Sequence, residues 1–248
     1  MPRISVTIVA MMLVAGICST LDAGPLLATD QLEFDFGFSP QNSKVCRIFQ
    51  LRNDGDDTLR ITRVVPGCGC TQTPLADSIL APGETTQLEI IFSTGHYSGI
   101  VTKRPRIETN EAESGRYVAI STNVVQRPDS TYPVQIRPYK LDMSQFGETV
   151  RDQMKFAIVN VSDKNLGLTL VNCPDKLLSI ELPSELPAGG SIEALAKLTP
   201  GAVKTSFETS FTIQLSDDAK TRFTIPVKRT IKSPGQTAAT TGTNQQKP

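Results

Sequence analysis

The chain has 248 residues and balances 25 Lys and Arg against 25 Asp and Glu, so it carries no net charge. It lacks the basic excess that a nucleic-acid face requires, and its one histidine excludes a multi-histidine metal centre. Its 39% apolar content suits two small cores with polar ends better than one large core.

The N-terminus has the build of a signal peptide. Arg3 precedes an apolar run from Ile4 to Ile17, broken by Ser5, Thr7 and Gly16, and small residues follow at Cys18, Ser19, Ala23 and Gly24. The run is shorter than the roughly 20 residues that span a bilayer. Cleavage is expected after Ala23, with Thr20 or Ala28 as alternatives. Ala15-Gly16-Ile17-Cys18 approaches a lipoprotein box, but Ile17 is too large for the position before the cysteine. No later stretch reaches spanning length, so a membrane enters only through an uncleaved signal anchor. The mature protein is expected outside the cytoplasm: in the periplasm, on the cell surface or extracellular.

From residue 29 the chain alternates in short runs divided by turns, as an all-β protein does. Leu32, Phe34 and Phe36 alternate, then Val45, Arg47, Phe49 and Leu51, before a turn at Asn53-Asp54-Gly55. Asn and Asp hydrogen-bond the local backbone in such turns. Leu59–Val65 is a further run. Pro82-Gly83-Glu84 turns the chain before Leu88, Ile90 and Phe92. Ile100–Thr109 and Tyr117–Val125 bring the total to about seven strands. That number in that length predicts an immunoglobulin-like sandwich, and the absent tryptophan excludes only its antibody-type core.

The landmarks then recur. Phe36-Gly37 is matched by Phe146-Gly147, Asn53 by Asn160, and Pro82-Gly83 by Pro187-Ala188-Gly189-Gly190. Cys173 follows Asn160 much as Cys68 follows Asn53. A repeat of this period means two tandem domains with separate sheet systems, not a solenoid. The expected organisation is a signal peptide over 1–23, one domain over 29–127, a second over 133–232 and a tail over 233–248. The tail holds no large apolar residue and predicts disorder.

The most specific block is Gly67-Cys68-Gly69-Cys70-Thr71. Two thiols this close can bind a metal, exchange disulfides or close a small ring. Structural zinc needs four ligands, and only Cys46, Cys173 and His96 remain to complete it. Copper(I) accepts two thiolates, but the mature chain keeps only Met143 and Met154 of the methionines common at such sites. The favoured expectation is a structural turn. Replacing both cysteines by serine then costs about 2–4 kcal/mol if a disulfide closes a loop there. Cys46 alternates opposite to Phe49 and Leu51 and is expected to face away from the first core. It is a candidate disulfide partner for Cys68 or Cys70, or a free surface thiol. Four mature cysteines leave three full pairings open.

Phe34-Asp35-Phe36-Gly37, Phe49-Gln50-Leu51-Arg52-Asn53, Cys68-Gly69-Cys70-Thr71, Pro82-Gly83-Glu84 and Thr109-Asn110 stand in an order that resembles a bacterial family of exported Ig-like domains. This is the domain-of-unknown-function family fifteen-seventy-three, related to the ASH and major-sperm-protein-like sandwiches. The resemblance covers about residues 30–127. It implies an Ig-like fold and an envelope location, and no catalytic residue. The second unit has Asn172-Cys173-Pro174 in place of the double cysteine and resembles the fold alone.

Other candidates are weaker. His96, in a loop, has no Gly-x-Ser-x-Gly elbow to serve. Asp54, Asp56 and Asp57 share one turn without EF-hand spacing. The expectation is therefore a non-catalytic exported protein without cofactor or metal. It binds or scaffolds an envelope protein or polymer by edge-strand addition, and not a nucleic acid. The alternative is a thiol redox or copper-handling factor centred on Cys68 and Cys70.

Overall fold

A computed structural model describes residues 24–113 and 115–232, so the expected signal and tail lie outside the described residues. Strands in the first half are β1 (Leu27–Thr29), β2 (Glu33–Pro40), β3 (Lys44–Asn53), β4 (Leu59–Val65), β5 (Thr71–Gln72) and β6 (Ile79–Leu80). They continue with β7 (Thr85–Ser93), β8 (Gly99–Lys103), β9 (Arg106–Thr109), β10 (Arg116–Tyr117) and β11 (Ala119–Val125). One 3-10 turn, Pro128–Ser130, leads into the second half. There follow β12 (Val134–Arg137), β13 (Leu141–Asp142), β14 (Gln145–Phe146), β15 (Gln153–Asn160), β16 (Leu166–Asn172) and β17 (Leu178–Glu181). The last are β18 (Glu185–Leu186), β19 (Ser191–Leu198), β20 (Phe207–Leu215), β21 (Arg222–Arg229) and β22 (Ile231–Lys232).

Alternation decides which faces are buried. Along β7, Thr86, Leu88, Ile90 and Phe92 are buried while their neighbours are not. Leu88, Ile90 and Phe92 meet Phe36, Phe49, Leu51 and Leu59 in the first core. The second core gathers Ile136, Phe156, Ile158, Phe211, Ile213 and Phe223. One sheet of the first sandwich runs β1-β3-β7-β5, and its counterpart in the second runs β12-β15-β19-β17. The fold is all-β, with two Ig-like sandwiches.

Asn53 and Asn160 carry the repeat. Both are buried at strand ends. Asn53 Nδ2 donates to the carbonyls of Asp57 at 2.8 Å and Leu80 at 3.0 Å. Asn160 Nδ2 donates to those of Lys164 at 2.8 Å and Pro187 at 3.0 Å. Each Oδ1 accepts the amide two residues on, Gly55 at 3.0 Å or Ser162 at 2.9 Å. Replacing Asn160 with alanine strands these buried groups, each worth about 1–3 kcal/mol. Part of that is recovered by water, so Asn160→Ala should lower the urea unfolding free energy by about 2–4 kcal/mol.

Phe146 is not the counterpart of Phe36. Phe36 is fully buried, whereas Phe146 is 70% exposed and sits on β14 beside Lys232. The equivalent of β2 is β13: β2 pairs parallel with β11, and β13 pairs parallel with β21.

The sheet systems are also not separate. β2 pairs with β21 at Phe38 and Phe223, so one sheet runs β18-β16-β20-β21-β2-β11-β8 through both halves. Gly37 allows this, with φ +63° and no side chain on the flank that faces Arg222 of β21. A Cβ there would lie 2.1 Å from the Arg222 carbonyl oxygen. Around it, Thr224 Oγ1 donates to the Phe36 carbonyl at 2.7 Å, and Tyr139 Oη to that of Phe38 at 2.7 Å. The guanidinium groups of Arg47 and Arg222 lie 4.7 and 5.2 Å from the centre of the Phe34 ring. A single parallel bridge between distant segments leaves no period in the sequence.

Candidate functional site

β4 leaves its sheet at Val65, still paired with Arg106 of β9. Pro66 follows, without an N–H to continue a ladder. Gly67 then turns the chain at φ +81°. Cys68 and Cys70 are joined as a disulfide, with Cα atoms 5.3 Å apart. Ser93 N–H donates to the Cys70 carbonyl at 2.9 Å, tying the turn to β7.

The two sulfurs have different surroundings. Cys70 packs against the first core. Its Sγ accepts the Tyr97 hydroxyl at 3.7 Å, and Lys103 Nζ donates to that hydroxyl at 3.3 Å. The ammonium also lies 4.6 Å from the Tyr97 ring centre and 5.4 Å from that of Phe92. Cys68, half-buried like Cys70, lies between exposed Gly67 and Gly69, and Thr71 Oγ1 is 3.3 Å from its Sγ and 3.9 Å from that of Cys70. Tyr97 and Lys103 carry no motif. The fold brings them to the turn through the β7–β8 connection.

Cys46 takes neither role considered for it. It does lie outside the first core, yet it is buried, because β20 of the second sandwich covers that side of β3. Its N–H donates to Ser210 Oγ at 2.9 Å, and its Sγ lies 3.9 Å from the Glu208 carbonyl. Burial, with Glu89 adding, pushes its thiol up to about 12. Cys173 is a half-buried free thiol, pushed to about 12 by burial and Asp175. Burial thus favours the protonated, less nucleophilic form of both. A disulfide offers no thiolate, so copper(I) could use Cys68 and Cys70 only after reduction.

The same turn leaves a sheet edge open. Because β4 departs at Pro66, β8 pairs with β11 on one side. Among the described residues, no strand pairs with its other side. Ile100 on β8 is 81% exposed. A free edge with an exposed aliphatic residue is a template for another strand.

The remaining candidates do not converge. His96 is exposed, as are Asp54, Asp56 and Asp57. Asp54 pairs with Arg52 and Asp56 accepts from the Gly24 amide. Among the described residues, no group of three or more His, Cys, Asp or Glu could hold a metal ion, and no helix is long and apolar enough to cross a membrane. A cleft of about 990 Å³ lies between the sandwiches, with Lys44, Arg47, Glu89, Glu208 and Lys228 of mixed sign along it.

The disulfide closes a loop of only three residues. Loop-closure entropy then gives about 1.5 kcal/mol, below the 2–4 expected of a longer loop. The Cys68→Ser/Cys70→Ser protein should lose about that much in urea unfolding at unchanged slope.

Residues 27–124 match the model of a family described as "Protein of unknown function (DUF1573)", the family that the Cys-Gly-Cys-Thr block resembles. No match was found among the curated proteins. Similar solved structures include a protein of unknown function from Porphyromonas gingivalis W83, 19% identical, covering 82% of this chain and 98% of that one at a TM-score of 0.34. The ASH/PapD-like domain 7 of human CEP192 is 10% identical, covering 51% and 99% at 0.36. WR4, a C. elegans MSP family member, is 15% identical, covering 41% and 100% at 0.31.

Proposed function

We propose that this is an exported, non-catalytic binding protein of the cell envelope that takes up an extended segment of a partner protein along β8. The single observation carrying this is the unpaired edge of β8 with Ile100 81% exposed at its start. Main-chain hydrogen bonds along such an edge supply affinity, and side chains such as Ile100 and Lys103 supply selectivity. Export is supported by Arg3 and the apolar run after it. The shared sheet suits a scaffold, because a load on β8 passes through β11 and β2 into β21.

A photo-crosslinking residue at Ile100, installed in the exporting cell, tests this. The expected result is one adduct of discrete mass. A proline at Thr102 should reduce it at least tenfold, because proline removes a ladder donor and is poorly accommodated between paired strands. Adduct formation that ignores the proline would refute strand addition.

A further inference from the structure

We propose that Cys68–Cys70 is an exchangeable disulfide that oxidises the dithiol of a partner molecule, with Cys68 taking the attack and Cys70 leaving as a thiolate held by Tyr97 and Lys103. This goes beyond strand addition and does not depend on it.

The asymmetry of the two sulfurs carries the inference. A thiolate must reach one sulfur while the other accepts the electron pair. A Cβ built at Gly67 or at Gly69 meets no atom of a non-neighbouring residue within 4 Å, so the chain is open at the residues before and after Cys68. Cys70 is packed against the core, where a bare thiolate is costly. The Tyr97 hydroxyl at 3.7 Å, backed by the Lys103 ammonium at 3.3 Å from it, offsets that cost. A cation near a sulfur favours the thiolate, which makes it the better leaving group.

The steps balance. The partner's thiolate bonds to Cys68 Sγ, the Cys68–Cys70 bond breaks, and its electron pair goes to Cys70 Sγ. The partner's second thiol, losing its proton to solvent, then attacks the partner sulfur of the mixed disulfide. The partner's own disulfide forms and Cys68 leaves as a thiolate. The partner loses two electrons and the turn gains two, so each chain oxidises one dithiol.

The full chain is incubated with dithiothreitol as the dithiol probe, or with reduced glutathione as the monothiol probe. It is then quenched by alkylation and mapped by peptide mass. Cys68 and Cys70 should open while the far-ultraviolet circular dichroism stays native and Cys46 and Cys173 stay unlabelled. Lys103→Gln and Tyr97→Phe should each slow opening about tenfold, and Lys103→Arg should restore it, since leaving-group stabilisation sets the rate. With oxidised glutathione, Cys70→Ser should accumulate a mixed disulfide on Cys68, and Cys68→Ser should accumulate little on Cys70. Opening only where the chain unfolds would overturn the proposal. So would rates indifferent to Lys103 and Tyr97, or equal labelling of the two single-serine proteins. Lys103 is partly exposed, and the arginine rescue separates a lost charge from a folding defect.

Discussion

Gly37→Ala should split the thermal unfolding of this protein into two transitions and lower the first by well over 10 °C. The added Cβ would stand 2.1 Å from the Arg222 carbonyl oxygen and 2.4 Å from its carbon, both backbone atoms of β21. No rotamer relieves a clash with backbone. The residue would also keep a φ of +63°, which costs an alanine about 1–2 kcal/mol. The chain escapes by moving β2 from β21, which breaks the Phe38–Phe223 bridge and the bonds from Thr224 and Arg222 to the Phe36 and Asp35 carbonyls. With strain and lost junction together, the penalty is about 4 kcal/mol. Each core remains whole, so two transitions should replace one in differential scanning calorimetry. A single transition at the parent temperature would show that β2 keeps its place on β21 despite the added methyl.

Arg229→Met should cost about 3–4 kcal/mol without dividing the transition. Arg229 is 1% exposed at the end of β21. Its Nη1 donates to the carbonyls of Met143 at 2.8 Å and Arg151 at 3.0 Å. Its Nη2 donates to Gln145 Oε1 at 3.0 Å and to the Val203 carbonyl. One guanidinium thus fastens the 143–145 segment, Arg151 and Val203 to the last long strand. Methionine keeps much of the volume but donates nothing, stranding four acceptors at about 1–3 kcal/mol each. Loop movement rehydrates some of them, and removing a buried charge returns part of its desolvation cost. Urea unfolding checks the figure. A loss below 1 kcal/mol would mean that the carbonyls find water without the arginine.

Much of the architecture was legible because burial here follows a period of two. β2, β3 and β7 read directly from alternation, and the Asn53 and Asn160 turns read from Asn at a strand end followed by a short polar loop. The Cys-Gly-Cys-Thr block drew attention to its turn for a chemical reason: two thiols at that spacing stand out in any chain. What escaped was set by contacts between distant segments. Phe146 matched Phe36 in dipeptide but not in register, and it lies outside the core. Cys46 was read to the correct side of β3 but not to its burial, because the cover is a strand more than 160 residues away. Arg229 looked like any strand-end cation, and Tyr97 and Lys103 like solvated hairpin residues. Single-sequence patterning reports the face a residue takes, not what is placed against that face.

The junction also has a consequence for anyone who cuts the chain. The family match ends at residue 124, and a fragment trimmed there would look complete by homology. It would still expose the flank of β2 that β21 occupies and the stretch of β3 that β20 covers, with Cys46 uncapped between them. Such a fragment carries raw strand margins and a liberated thiol, an invitation to stick to its own copies and crosslink through sulfur. The family-matched segment thus leaves out part of its own cover, because β21 and β20 of the second sandwich lie against its β2 and β3.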